Sequence, residues 1–227
     1  MSQTENYLRL ILDEAHDGRF QMARDESLFR NSIQTQDQNA ILRFYHFSEP
    51  TFTVGYGLWS KVHGSLSGEI PVVRRITGGG IVSHKESDLT YAFIIPYTSF
   101  ISLRKARGSY LFIHEALKRA LLDFGVRTHF FEGCGENQKS NYCFESPVLY
   151  DVMLGQNKVA GAGQKRTLGF LLHQGSIAWG LLNQARPELS EIDFCIAFSS
   201  HLAKMLDLSV KEIPFRVEEL KQAPVAV

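Results

Sequence analysis

The chain has 227 residues, 44% hydrophobic and 21% charged, which is enough apolar material for one packed soluble domain. Its 24 basic and 24 acidic side chains cancel, so no broad positive field exists to select nucleic acid or an anionic membrane, and neither is expected as a partner. Three cysteines without disulfide-scaffold spacing, and a polar start from Met1 to Asn6 with no signal-peptide core behind it, give the expectation of a cytoplasmic protein with free thiols.

Tyr7 to Leu12 is short, apolar and bounded by polar residues, which predicts a strand. Phe20 to about Ser32 reads as a first helix, with Met22, Ala23, Ser27 and Leu28 among charges and no Gly or Pro. Ile41 to Phe47 and Thr51 to Tyr56 are rich in β-branched and aromatic residues on either side of Ser48-Glu49-Pro50, which predicts paired strands. A further apolar run, Ile70 to Val73, leads into a glycine segment, and Leu89 to Ile95 reads as a strand stopped by Pro96.

The clearest helix runs from about Ser102 to Phe124. Tyr110, Ile113, Leu117, Ala120, Leu121 and Phe124 recur at helical spacing as a core stripe, and Gly125 supplies the C-terminal cap. A polar stretch, Gly133 to Pro147, holds two of the cysteines. Strand-like runs follow at Val148 to Leu154, Lys158 to Gly161 and Leu168 to Trp179, then a helix between about Glu188 and Leu206 and a polar tail. Strands outnumber helices and short turns join most neighbours, so the expected class is α+β, a mixed and largely antiparallel sheet with packed helices.

In the segment Pro71 to His84, PVVRRITGGGIVSH, two arginines and three consecutive glycines stand between strand-like runs. Without Cβ atoms such a loop brings its N–H groups close to an anion or an extended ligand, and arginines neutralise a carboxylate or phosphate. A bare glycine triplet is equally compatible with a plain turn. It is neither a Walker loop, since no Gly-Lys-Ser/Thr follows, nor a dinucleotide fingerprint.

The full string RRITGGGIVSH, followed by DLTYAFIIP, resembles the signature of the biotin/lipoate protein ligase family, in its lipoate-protein ligase A and octanoyltransferase branch. Two more blocks agree: DVMLGQNKVAGAGQKR with FLLHQGSIAW, and MARDESLFRN with ILRFYHF and TFTVGY, so the resemblance covers about Phe20 to Trp179. It implies the catalytic-domain fold of that family, a single domain over 1–227, and no accessory C-terminal domain. Arg75, Thr77, Gly78, Gly79 and Gly80 match the loop that wraps the lipoyl or acyl chain, while Ile81, Val82 and Ser83 match the strand start that contacts nucleotide in members that use ATP. His84 matches the motif histidine, with a structural role holding the loop as the alternative. Gly161, His173 and Gly175 match the Gly-x-x-Lys-Val-Ala-Gly and His-x-Gly segments.

Lys158 matches the central lysine of the family, whose ammonium would stabilise the charge that develops on the acyl carbonyl. A solvated turn lysine after Gly155-Gln156-Asn157 is the alternative. NYCFESPVLYDV resembles the Cys-Phe-x-x-Pro-x-x-Tyr run of one octanoyltransferase type, which implies that Cys143 carries the acyl group as a thioester. An inert thiol is the competing reading of Cys143. Cys195 is expected to be a buried helix residue. The Cys134 to Cys143 spacing is not that of a zinc pair, and no metal ligand is assigned.

The implied activity is transfer of octanoyl or lipoyl to a lysine of a lipoyl domain, from a 2-oxo acid dehydrogenase complex or the glycine cleavage protein, with acyl carrier protein as donor. Two alternatives stand beside it: a lipoate-protein ligase that forms lipoyl-AMP with ATP and Mg²⁺, and a non-catalytic acyl-binding paralogue. Against the ligase, Tyr150 precedes Asp151 where ligases commonly carry Asn-Asp.

Overall fold

A computed structural model describes residues 6–62, 64, 65, 68–133, 147–216 and 219. Strands β1 (Tyr7–Leu12) and β2 (Ala40–Tyr45) are parallel, and helix α1 (Gly18–Thr35) connects them. Asp17 starts that helix by accepting a 3.0 Å bond from the Phe20 N–H. β3 (Thr51–Gly55), β4 (Val72–Arg75) and β5 (Ile81–His84) form a separate three-stranded sheet in the order β4-β3-β5, with the short helix α2 (Trp59–Val62) in one connection.

The chain returns to the main sheet at β6 (Leu89–Pro96) and passes through two 3-10 turns into α3 (Ala106–Asp123). β7 (His129–Phe130), β8 (Val152–Leu154), β9 (Asn157–Thr167) and β10 (Phe170–Ile177) follow. Then come α4 (Trp179–Ala185), α5 (Glu191–Leu206) and β11 (Ser209–Glu212). The main sheet has eight strands in the order β11-β1-β2-β6-β10-β9-β8-β7. Most pairs are antiparallel, with parallel pairing at β1–β11, β1–β2 and β3–β4.

Alternation along the central strands divides the core. Phe44, Tyr91, Phe93 and Leu171 face α3 and α5, whereas Ile41, Ala92, Ile94 and Leu172 face α1 and the small sheet. The space between the large sheet and the small one holds the site. Among the described residues no helix is long and apolar enough to cross a membrane.

The α+β class and the mixed, antiparallel-dominated sheet agree with the expectation, but several elements differ. The runs expected to pair with each other, β2 and β3, belong to different sheets: Ser48-Glu49-Pro50 carries the chain across the cleft instead of closing a hairpin. α3 starts later than Ser102 because Tyr97–Ser99 and Ile101–Leu103 are 3-10 turns. Its end is as expected, with Gly125 at φ 75. β9 extends beyond Gly161 to Thr167, Trp179 begins a helix instead of ending a strand, and the tail after Leu206 adds β11. Cys195 is buried in α5, and burial pushes its thiol pKa up.

Candidate active site

A cavity of about 150 Å³ lies between the two sheets. The glycine segment forms one wall through Arg75, Gly79 and Gly80, and β9 and β10 form the opposite wall through Lys158, Gly161, Gly163 and Gln174. Met22 of α1, Val82 of β5 and Val148 supply apolar surface.

Close backbone approach explains the glycines. A Cβ on Gly163 would lie 2.4 Å from the Gly78 carbonyl oxygen, and one on Gly55 would lie 2.1 Å from that of Gly79. The loop is also stitched to β9 by a 3.2 Å bond from the Gly78 N–H to the Gln164 carbonyl. Arg75 is buried, and its guanidinium donates to the carbonyls of Gly78 (3.0 Å), Gly80 (2.9 Å) and Thr53 (2.9 Å). It therefore holds the loop's shape while bordering the cavity. Thr77 is buried and donates to Gln174 Oε1 at 2.8 Å.

Gln174 continues this chain inward. Its amide nitrogen donates to Asp25 Oδ2 at 2.7 Å, Asp25 pairs with Arg43 at 2.5 Å, and the Tyr45 hydroxyl donates to Asp25 at 2.8 Å. Arg43 also pairs with Asp13 at 2.6 Å, and Asp13 with Arg24 at 2.9 Å. The two carboxylates and two guanidiniums balance, so a buried and charge-neutral lattice fixes the floor under the glycine loop.

Lys158 lies on the cavity wall with its ammonium 2.7 Å from Asp151 Oδ2, and their side chains are 5% and 0% exposed. Asp151 is held in turn by the Val148 N–H at 2.7 Å and by the Tyr110 hydroxyl, which itself accepts from the Ala162 N–H at 2.9 Å. Gly161 makes room for the lysine stem: a Cβ there would lie 2.4 Å from Lys158 Cε and 2.5 Å from Nζ. Lys158 is thus a buried, oriented cation and not the solvated turn residue. Held this way beside a cavity, an ammonium can stabilise an oxyanion without reorganising.

His84 is buried, stacked on Phe47 with ring centres 4.3 Å apart. Thr53 Oγ1 accepts from Arg75 at 3.1 Å and shares a hydrogen bond with His84 Nε2 at 2.8 Å, while His84 Nδ1 lies 3.4 Å from Ser176 Oγ. Burial, assisted by the nearby Arg75 charge, lowers the pKa of His84 to about 3. A neutral imidazole with both ring nitrogens facing hydroxyls of neighbouring strands is a brace for the small sheet. Ile81 is buried, Val82 borders the cavity, and Ser83 is exposed.

His173 is not beside its neighbour Gln174, because alternation along β10 turns it to the α3 side. There it meets Tyr91 at 3.1 Å and Gln164 at 3.0 Å, and burial pushes its pKa well down. Gly175 borders the cavity, and a Cβ there would lie 2.3 Å from the Tyr91 ring. Cys143 and Cys134 lie outside the described residues.

Asp151, Tyr110 and Gln174 join the site although the sequence reading assigned them no part in it. Tyr110 has helical spacing with the core stripe, and only its hydroxyl distinguished it from its apolar neighbours. Asp151 and Gln174 adjoin matched residues, which was their only signal.

The site thus sets a glycine loop opposite a lysine held by a carboxylate, across a cavity between two sheets. The chain belongs to the lipoyl protein ligase A/B catalytic domain family, which matches residues 17–223. The octanoyltransferase LipM of Clostridioides difficile is 30% identical over 203 residues, covering 82% of this chain and 73% of that protein. That of Oceanobacillus iheyensis is 31% identical over 167 residues, covering 71% of this chain, and the chain spans 60% of the length of that relative. The fold matches a crystal structure of lipoate-protein ligase A bound with ATP at a TM-score of 0.71, with 20% identity, over 96% of this chain and 92% of that one.

Proposed function

We propose that this chain transfers an octanoyl or lipoyl group from an acyl carrier protein to a lysine of a lipoyl domain, through a thioester on Cys143. The observation that carries the reading is the Lys158 ammonium, fixed by Asp151 on the wall of a cavity closed by the glycine loop. The octanoyltransferase relatives favour transfer over ligation.

In the first step the Cys143 thiolate attacks the carbonyl carbon of the carrier thioester. The new carbon–sulfur bond forms, negative charge develops on the carbonyl oxygen, and Lys158 stabilises it before the carrier thiolate leaves and takes up a proton. In the second step the neutral amine of the lipoyl-domain lysine attacks the Cys143 thioester. An amide forms, the cysteine sulfur leaves, and the proton lost by the amine restores the balance.

The test offers purified protein an apo lipoyl domain with either octanoyl-acyl carrier protein or lipoate plus Mg²⁺-ATP, alongside Cys143→Ser and Lys158→Ala. Modification from the carrier alone, abolished by Cys143→Ser, is the expected result. ATP-dependent modification indifferent to that substitution would establish the ligase in its place, and no modification by either route would leave an acyl-binding paralogue.

A further inference from the structure

The chain has no net charge, yet cations are concentrated around the cavity. Arg104, Lys105 and Arg107 stand exposed where the chain enters α3, Lys165 and Arg166 lie on β9, and Arg74 is exposed on β4. Among the described residues none of these six has a carboxylate within 4 Å, although most other arginines here are paired.

Their positions follow from the site's construction. β9 pairs with β8 only as far as Ala160, and residues 161–167 run on beyond that ladder along the cavity. The glycine loop lies on one side of that stretch, through the Gly78 to Gln164 bond, and the start of α3 lies on the other. Arg166 donates to Ser109 Oγ at 3.1 Å and to the Arg104 carbonyl at 3.0 Å, which gathers the α3 cations against the strand. Arg107 lies 5.4 Å from the Tyr150 ring, next to Asp151, and three residues further on Tyr110 borders the cavity. On the other flank Arg74 and Lys165 sit 5.5 and 5.4 Å from the exposed Tyr56 ring. Two exposed apolar side chains complete the face, Ile101 at 82% exposure and Leu168 at 76%, in segments joined by the 2.9 Å bond from the Tyr97 N–H to the Gly169 carbonyl.

We infer that this basic rim, with Ile101 and Leu168 within it, is the docking surface for the acyl donor, an acidic carrier domain that presents its thioester on a phosphodiester-linked arm. The inference rests on the transfer reading above. A phosphodiester and acidic side chains are drawn to guanidiniums and ammoniums that have no carboxylate partner among the described residues. Exposed apolar side chains inside a charged rim are the usual anatomy of a transient protein contact.

The experiment measures direct binding of octanoyl-acyl carrier protein and, separately, transfer kinetics, using wild type, Arg104→Glu/Arg107→Glu and Arg74→Glu/Lys165→Glu. Binding should be salt-sensitive in wild type and weaken about tenfold or more in the variants, with a parallel rise in KM for the carrier donor. KM for the apo lipoyl domain, and the kinetics with octanoyl-pantetheine, which lacks both protein and phosphate, should stay within about twofold. Unchanged carrier binding, equal losses with the small donor, or a rise in KM for the lipoyl domain instead would each overturn the assignment. Salt-sensitive, charge-dependent carrier binding without any transfer would retain the docking surface and remove the transfer reading. Carrier-dependent transfer indifferent to charge reversal would do the opposite.

Discussion

Asp151 holds the Lys158 ammonium at 2.7 Å with both side chains buried, and it also accepts from the Tyr110 hydroxyl and the Val148 N–H. If Lys158 supplies the oxyanion donor, Lys158→Ala should lower kcat by two to three orders of magnitude with a normal circular dichroism spectrum. Asp151→Asn keeps the shape but removes the counter-charge. It should cost on the order of 3 kcal/mol in urea unfolding, because breaking a buried pair leaves one charge uncompensated, and it should slow transfer as well. A Lys158→Ala enzyme with wild-type kcat would exclude the role.

Gly161→Ala separates position from charge. The added methyl would sit 2.4 Å from Lys158 Cε, so the lysine stem has to swing away from Asp151 while every ionisable group remains. Misplacing a catalytic group by about 1 Å costs on the order of a hundredfold, so kcat should fall nearly as far as in Lys158→Ala. Pre-steady-state acylation from the carrier thioester is the measurement to use. Undiminished acylation would mean that the ammonium need not lie where it is seen.

The glycine loop and most strands were legible in the sequence because they are local patterns, runs of β-branched residues and a glycine triplet, whereas Lys158 stood out only through the family resemblance. What was not legible is tertiary. Nothing in Ile41 to Phe47 or Thr51 to Tyr56 says that these strands part company, since the choice between a hairpin and a crossing depends on the small sheet that β3 joins later with β4 and β5. Tyr110 reads as core at helical spacing, and its hydroxyl acquires a function only because Asp151 arrives from 41 residues away. The same limit applied to Arg75, whose bonds to the carbonyls of Thr53, Gly78 and Gly80 depend on strands and loop meeting in three dimensions.

Tyr150 sits at φ 72, the left-handed region that costs a residue with a bulky side chain roughly 1 kcal/mol or more. The conformation is imposed by its neighbours: its N–H bonds the Phe131 carbonyl at 2.9 Å and its carbonyl accepts from His114 Nδ1 at 2.7 Å, which aims Asp151 at the lysine. Asn tolerates this geometry better. Tyr150→Asn should therefore raise the unfolding free energy by about 0.5–1 kcal/mol, read as a higher urea midpoint, with transfer activity retained. A loss of stability would mean that the ring's contacts with Phe130 and Arg107 outweigh the strain.

Asp25 tests the lattice beneath the loop. Asp25→Ala removes the acceptor shared by Arg43, Tyr45 and Gln174 and leaves a fully buried guanidinium short of one counter-charge. The expected loss is about 3–5 kcal/mol. The Gln174 amide would also be released from its orientation toward Thr77, so the octanoate affinity of the surviving folded protein should weaken, as read by titration at low temperature. Unaltered affinity would confine the lattice to stability alone.

Acid should unfold this protein through its buried histidines before its carboxylates titrate. Burial lowers His84 to about 3 and His114 to about 4 and pushes His173 well down, against about 6.5 in the unfolded chain. Below pH 6.5 the unfolded state binds protons that the native state refuses, so the stability these groups contribute is full above that value and is lost as pH falls toward 4 and then 3. Between pH 6.5 and 5 the loss is roughly 2 kcal/mol per histidine. His46 works in the opposite direction, since its bond to Glu191 raises its pKa and its contribution fades as pH climbs, but it is partly exposed and screened. Asp13 and Glu219, whose pKa values are lowered by Arg43 and Arg9, add their own loss only nearer pH 4. Urea midpoints should thus drop steeply from pH 6.5 to 5, and His84→Gln, which keeps a hydrogen-bonding side chain without the titration, should flatten that slope by about one proton. A slope that is the same in wild type and His84→Gln would show that this imidazole is protonated in the folded protein after all.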